Sequence, residues 1–303
     1  MALKSAIGTA HKVRLKRRWQ HVYEALIERL LFVSAVSCVA AVFMIALFVM
    51  SNGLPLILRT GLLEFVGGTT WRPLSGSFGV FPMIYGTLLV TFGALMLAVP
   101  VGLGAAAFLA ELSPPALERA IRPAIQLLAG IPSVVYGFWG IVVLVPALRN
   151  LFGGSGFSAL AGSIILAIMI LPTIINISVD AIKSVPQDAR EASWALGATL
   201  WQTTKSVVIP AAGQGIATSV VLGMGRAIGE TMAVIMVTGN VTSIPSSILD
   251  PVRTLTGNIA IEIGYAHGEH QQALYATGVV LFVFIMALNL LVSASTRKRA
   301  TRR

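Results

Sequence analysis

Long apolar runs alternate with short polar segments along this chain, and the runs exceed what a strand or an ordinary core helix needs. A helix that crosses a bilayer takes about 20 consecutive apolar residues. Six stretches reach that length: about Leu30 to Met50, Tyr85 to Leu109, Ala124 to Leu148, Ser158 to Val179, Ile216 to Val237 and Ala273 to Ser293. The pattern predicts an all-α membrane protein with six transmembrane helices. It divides the chain into a basic tail at 1–29, a transmembrane body at 30–295 and a second basic tail at 296–303. The long polar N-terminal tail and the length of the first run point to an uncleaved first span rather than a signal peptide. Trp19 and Tyr23 are expected at the membrane interface, where amphipathic rings concentrate.

Breakers refine the picture. Pro100, with Gly102 and Gly104, sits inside the second run, Pro132 with Ser133 inside the third, and Pro172 with Asn176 inside the fourth. A proline in a spanning helix frees a carbonyl that neighbouring protein or water must satisfy. Transporters use such breaks to line solute sites, and a merely kinked structural helix has the same signature. Between runs, Ser51 to Pro82 predicts short irregular structure, and Glu111 to Arg122 a short connection. Asp180 reads as a boundary charge at the end of the fourth span.

Composition and charge then narrow the class. Only 11% of residues are charged, 56% are hydrophobic and the mean hydropathy is +0.84. Soluble domains carry about 25% charged residues. The net charge of +10 is segregated by side. Seventeen of the 22 lysines and arginines fall in the two tails and the two connections on their side, four fall opposite, and Arg226 lies within a span. The positive-inside rule makes both termini cytoplasmic. The basic tails then suit anionic lipid headgroups better than nucleic acid. Cys38 is the sole cysteine, so no internal disulfide forms. His267 and His270 flank Gly268-Glu269 on a loop, without thiolates or helical His spacing, so no metal site is expected.

Two features stand out in the stretch 187–240. Counted from Ile216, Arg226 lies about 15 Å into a core about 30 Å thick, near the midplane. On a continuous helix Glu230 follows one turn on, on the same face. A charge at that depth costs about 2.5–3.5 kcal/mol, so such residues face a protein interior or a cavity. The guanidinium fork suits phosphate or carboxylate oxygens. Glu230 can hold Arg226 or accept a hydrogen bond from a protonated oxyanion, which phosphate is at neutral pH and sulfate is not. Gly225 and Gly229 flank the pair at the spacing that permits close approach. A structural ion pair between helices remains the alternative. The second feature precedes it. Ala192, Trp194, Ala195 and Leu196 after Pro186 predict a short amphipathic helix ended by Gly197, and a second helix runs from Leu200 toward Pro210. Such an elbow suits docking into another protein; an ordinary connecting loop has the same outline.

These residues resemble the EAA loop of ABC-importer permeases, E-A-A, three residues, G, nine residues, I-x-L-P. Glu191, Ala192, Gly197 and Pro210 match in type and spacing, while Ser193, Val207 and Ile209 depart slightly. The runs Phe81 to Thr87, Ala129 to Gly137 and Gly225 to Ala233 are similar to the phosphate-transport permeases, closer to the PstC type than to the PstA type. The resemblance implies the type I ABC importer permease fold (MetI-like), in the cytoplasmic membrane of a prokaryote. It implies that 187–212 forms a coupling loop seated on an ATPase through Glu191, Ala192, Ser193, Gly197 and Pro210. It implies a PstA-type second permease, two PstB-type ATPase copies and an extracytoplasmic PstS-type phosphate-binding protein as partners. Arg226, Glu230, Ser133 and Thr231 are the residues expected along the solute pathway.

No G-x-x-x-x-G-K-[ST] motif occurs, so this chain does not cradle nucleotide phosphates by that loop. The resemblance implies that ATP is hydrolysed by a separate ATPase subunit, with no cofactor on this chain and no enzyme activity of its own. Other readings stay open. One is a permease for sulfate or molybdate. Another is a membrane-embedded enzyme that uses Glu230 as acid or base, although no second catalytic group accompanies it. A third is a membrane scaffold with basic tails.

Overall fold

The computed structural model describes residues 2–300, with side chains for residue 24 and residues 26–290. The predicted basic tails at 1–29 and 296–303 therefore lie largely outside the described side chains. The chain forms two compact units, residues 1–51 and 52–303. In the first, most apolar side chains of helix α1 (Ala2–Thr60) between Leu26 and Met50 are exposed. That surface suits acyl chains rather than a protein core.

The second unit begins with the end of α1. The first span does not stop near Met50: the helix continues through Pro55 to Thr60. The segment after it is more ordered than its glycines suggest. Helix α2 (Leu62–Gly67) is followed by a hairpin of β1 (Trp71–Arg72) and β2 (Ser77–Phe78), antiparallel, with Trp71 opposite Phe78. Gly76 turns this hairpin with φ +71°, a backbone region that side chains disfavour.

Helix α3 (Phe81–Ala107) carries Pro100 inside it and ends in a π-helical turn at Phe108–Leu112. The expected short connection at 111–122 is instead the start of an amphipathic helix, α4 (Pro115–Gly130), which buries no residue. Its charges explain its place. Glu118 pairs with Lys183 at 2.5 Å and Arg122 with Asp180, so α4 lies along the far end of the fourth span. Asp180 is thus a partner of Arg122 rather than a bare boundary charge. The third span is correspondingly shorter than predicted. It starts only after Pro132, as α5 (Ser133–Trp139), a π-helical turn at Gly140–Leu144 and α6 (Val145–Phe152). Pro132 cannot donate an N–H and holds Ile131 extended, which ends α4 at Gly130.

Helix α7 (Ala159–Lys183) is the centre of the unit. Ser158 caps it by accepting from the Ala161 N–H at 3.1 Å. Ile165, Leu166, Ile170 and Ile174 are buried against Val90, Ala94 and Ala98 of α3 and against Val234 and Val237 further on. Small residues allow the close contact: a Cβ at Gly93 would meet Ser163 Oγ at 2.4 Å, so α3 and α7 touch there with no room for a side chain.

After α7 the chain makes α8 (Gln187–Ala195), α9 (Leu200–Thr203), a π-helical turn at Thr204–Val208 and α10 (Ile209–Ala211). Helix α11 (Gly213–Gly229) leaves this segment at a bend of 68°, and α12 (Met232–Val237) follows it. Among the described residues, five helices are long and apolar enough to span a membrane, and the bent pair makes a sixth. Ser178 Oγ and Ser219 Oγ, 2.8 Å apart and buried, join α7 to α11. The chain then runs through α13 (Leu255–Glu262) to α14 (Glu269–Ala300).

Between α12 and α13 the Asp250 carboxylate accepts from Ser246 Oγ (2.7 Å), Ser246 N (2.8 Å) and Ser247 N (2.9 Å). The Ser246 hydroxyl first, and then the two amides, hold this carboxyl below its usual range. The folded form is the one that prefers the ion. Its contribution is full above the ordinary carboxylate value and is lost as pH falls through the lowered one. Amide exchange at Ser246 and Ser247 is therefore expected to accelerate in that acid window, beyond its intrinsic pH dependence, and not in Asp250→Asn. An identical pH response in both proteins would contradict this.

Candidate functional site: a broken span and a two-helix elbow

The fifth span is not one continuous helix. Helix α11 ends at Gly229, Glu230 is extended (φ −71°, ψ 134°), and α12 starts after Thr231. This corrects the expectation that Arg226 and Glu230 share one helical face. No ion pair joins them among the described residues. Arg226 occupies the last turn of α11, where a cation also complements the exposed carbonyls of the helix end. It is exposed in the single chain, and a Cβ added at Gly225 or Gly229 would meet nothing within 4 Å. The two glycines thus admit no helix of this chain; they face open space together with the guanidinium.

Glu230 turns the other way. Its Oε1 accepts from the Ala233 N–H at 3.2 Å, at the start of α12. A carboxylate suits a helix start, whose first N–H groups have no partner in the helix. The second carboxylate oxygen makes no hydrogen bond among the described residues. Thr231 donates to the Gly229 carbonyl at 3.3 Å, across the break. Ser133 is half-buried at the start of α5.

The two breaks lie level with each other. Helices α5 and α12 run side by side in the same direction, because the Cβ position of Gly137 falls 3.1 Å from Ala233 Cα and that of Gly140 falls 2.6 Å from a Val237 methyl. Ser133, at the start of α5, and Glu230, just before α12, thus stand at corresponding ends of two neighbouring helices. Tyr136, not singled out from the sequence, belongs to the same place. Its hydroxyl donates to the Leu128 carbonyl at 2.8 Å, and Arg226 lies within electrostatic reach of it. Its position one turn after Ser133 was the available signal. The arrangement offers a guanidinium with no ion pair among the described residues, a half-used carboxylate and hydroxyls at a double interruption in an apolar body. A guanidinium and hydroxyls of this kind suit the oxygens of a small oxyanion.

The elbow forms as its sequence suggests. Helix α8 ends at Ala195, and Gly197 adopts φ +82°, the left-handed end that glycine takes without strain. Thr199 then starts α9 with reciprocal bonds to Gln202, 3.3 Å from the Gln202 N–H to Thr199 Oγ1 and 2.8 Å from the Thr199 N–H to Gln202 Oε1. Ser193 Oγ meets Thr203 Oγ1 at 2.9 Å and ties the two helices. Glu191 and Ala192 are exposed, while Val207, Ile209 and Pro210 are half-buried. Trp194, Leu196, Leu200 and Trp201 are exposed on the elbow, Leu196 by 89%.

The elbow's root is a residue whose role sequence reading missed. Arg190 is 7% exposed. It pairs with Glu111 at the end of α3 (2.6 Å) and donates to the Ile182 carbonyl (3.0 Å) and the Val185 carbonyl. It therefore caps the end of α7 while it anchors α8. Its partner lies 79 residues away in sequence, so no local pattern reveals the pairing.

A further knot lies between α12 and α14. Glu262 accepts from Trp71 Nε1 (2.9 Å), pairs with Arg253 (2.5 Å) and meets His270 Nε2 (2.8 Å). Arg253 also donates to the Asn240 carbonyl at 2.9 Å. His270 is engaged here with a carboxylate and two aromatic rings, Trp71 and Tyr265.

Comparison with known proteins adds the family. A model of the binding-protein-dependent transport system inner membrane component matches residues 98–301. The chain belongs to that family. This makes it a transport component of a membrane assembly and not an enzyme, and it sets aside the scaffold reading. The permease is 42% identical over 272 residues, 88% of each chain, to the probable ABC transporter permease protein YqgH of Bacillus subtilis. It is 41% identical over 241 residues to the phosphate transport system permease protein PstC of Mesorhizobium japonicum, covering 73% of this chain and 74% of that one. PstC of Xylella fastidiosa is 35% identical over 280 residues, 86% of each. Among solved structures, the inward-facing MetNI methionine ABC transporter matches with a TM-score of 0.59 at 18% identity, covering 76% of this chain and 99% of that one. The bacterial ABC transporter that imports the acidic polysaccharide alginate matches at 0.57 and 16% identity, covering 78% and 87%. At those identities the likeness establishes the fold, that of a type I ABC importer permease.

Proposed function

We propose that this permease is the PstC-type transmembrane subunit of an ATP-driven importer that carries inorganic phosphate across the cytoplasmic membrane. Both termini are cytoplasmic, and the cation bias between the two sides supports that orientation. The observation that carries the cargo assignment is Arg226, an exposed guanidinium at a helix break, four residues before a carboxylate with one oxygen unused among the described residues. Relatives named as phosphate permeases over most of the chain support the same reading. Arg226 receives the dianionic face of phosphate, and Glu230 accepts from its remaining P–OH, a contact that sulfate cannot make. Ser133 and Thr231 complete the lining.

The open space at Gly225, Arg226 and Gly229 is the side on which a PstA-type second permease would close the pathway. A PstS-type binding protein delivers phosphate from outside. A pair of PstB-type ATPases grips the elbow through Glu191, Ala192, Ser193, Gly197 and Pro210, with Trp194 and Leu196 as the apolar contact. No cofactor is bound by this chain, since ATP belongs to the ATPase.

Proteoliposomes that contain all partners test the cargo. ATP-driven uptake of labelled phosphate is expected, undiminished by sulfate at equal concentration. Inhibition by sulfate would overturn the phosphate assignment in favour of a general oxyanion permease.

A further inference from the structure

We infer that Thr256 is a positioning residue for the broken span, acting through the main chain of Glu230, and that α13 is the strut that carries this control. The inference rests on the proposed pathway at Arg226 and Glu230. An interrupted helix leaves carbonyls without partners, and in an apolar body such groups must be satisfied by protein. At this break the Glu230 carbonyl accepts from Thr256 Oγ1 at 3.0 Å. Thr256 is 26 residues away, on an element that returns into the fold.

The hydrogen bonds run in one direction. A threonine hydroxyl has one hydrogen to give. Thr256 gives its hydrogen to the carbonyl, which has none. Thr254 Oγ1, 3.2 Å from Thr256 Oγ1, must therefore donate to Thr256, and it accepts from the Gly257 N–H at 3.1 Å. The relay runs Gly257 N–H, Thr254 hydroxyl, Thr256 hydroxyl, Glu230 carbonyl. Both threonines are buried.

Helix α13 is itself held at both ends. At its start the Leu255 N–H donates to Thr87 Oγ1 of α3 at 3.0 Å. At its end Glu262 gathers Arg253, His270 and Trp71. Along its length it lies close to α12: a Cβ at Gly257 would sit 3.4 Å from an Ile235 carbon. A displacement of the knot around Glu262 is thus transmitted through α13 to the residue whose carboxylate starts α12. The hairpin and α14 are thereby mechanically connected to the pathway through α13.

The test compares Thr256→Val, which keeps the shape and removes the hydroxyl, with Thr256→Ser, which keeps the hydroxyl. Each is placed in the full assembly. Maximal phosphate uptake in Thr256→Val is expected to fall about tenfold, the scale of one lost buried hydrogen bond. The concentration of loaded binding protein that gives half-maximal uptake should stay unchanged, and Thr256→Ser should remain within about twofold of the parent. Amide exchange over residues 230–236 should accelerate in the valine variant and not in the serine variant. That second measurement does not depend on the cargo, so a parent assembly that fails to carry phosphate overturns the phosphate reading while exchange still decides the relay. Parent-like exchange and uptake in Thr256→Val overturn the inference, as does equal damage in Thr256→Ser. If Thr256→Val does not assemble, Thr256→Cys, with a thiol of similar size and weak donor strength, is judged by the same two measurements.

Discussion

Arg226→Ala is expected to cut ATP-driven phosphate uptake by about two orders of magnitude while the assembly still forms and its ATPase is retained. Removing one member of a desolvated charge contact costs about 3 kcal/mol, which sets that scale. The intact assembly follows from the local geometry. The guanidinium is exposed, makes no ion pair among the described residues, and lies between two glycines that pack against nothing. Truncation therefore removes no ion pair among the described residues. Arg226→Lys keeps the charge but loses the planar fork, so it should fall between the two. Uptake and assembly are read from the same preparation. Normal uptake in Arg226→Ala would remove Arg226 from the pathway, and failure to assemble would make it a structural residue.

The break beside Arg226 also marks what sequence can and cannot carry here. Apolar run length located the spans well, because the hydrocarbon core sets one length for all of them. Periodicity could not locate the interruption at Glu230. Its neighbours Ile228, Thr231 and Met232 are as apolar or helix-compatible as the rest, and the carbonyl freed at the break is met by Thr256 of α13, far along the chain. The third span was misplaced for a related reason. Ala124 to Gly130 is apolar enough to read as membrane, yet Glu118 and Arg122 hold the same helix along the end of α7. Pro132 was visible in the sequence, but whether it kinked one helix or separated two depended on those remote ion pairs. The elbow was legible because its determinants are local: Pro186 before α8, Gly197 after it and the Thr199–Gln202 cap. Its attachment was not, since Glu111 follows the second span and Arg190 the fourth, 79 residues apart.

That attachment carries the second large effect. Arg190→Ala is expected to destabilise the permease by about 3–5 kcal/mol, because it leaves the Glu111 carboxylate buried without its partner. It also strips the Ile182 and Val185 carbonyls of a donor at the end of α7. Uptake should be lost even in molecules that stay folded, since α8 would no longer be fixed to α3 and α7 and could not transmit movement from an ATPase to the spans. Glu111→Leu combined with Arg190→Met should recover most of the stability, because an apolar pair of similar volume is often as good as a buried ion pair. That recovery should leave uptake impaired, since the methionine cannot donate to the α7 carbonyls and orient α8. Glu191→Lys provides the contrast: Glu191 is exposed on the same helix, so the melting temperature should hold while ATPase co-purification falls. Thermal unfolding and ATPase retention, measured on all variants, separate the two faces of α8. A parent-like melting temperature in Arg190→Ala would mean that the Glu111 pair does not root the elbow, and coupling would then have to run through α9 and the turn at Thr204–Val208.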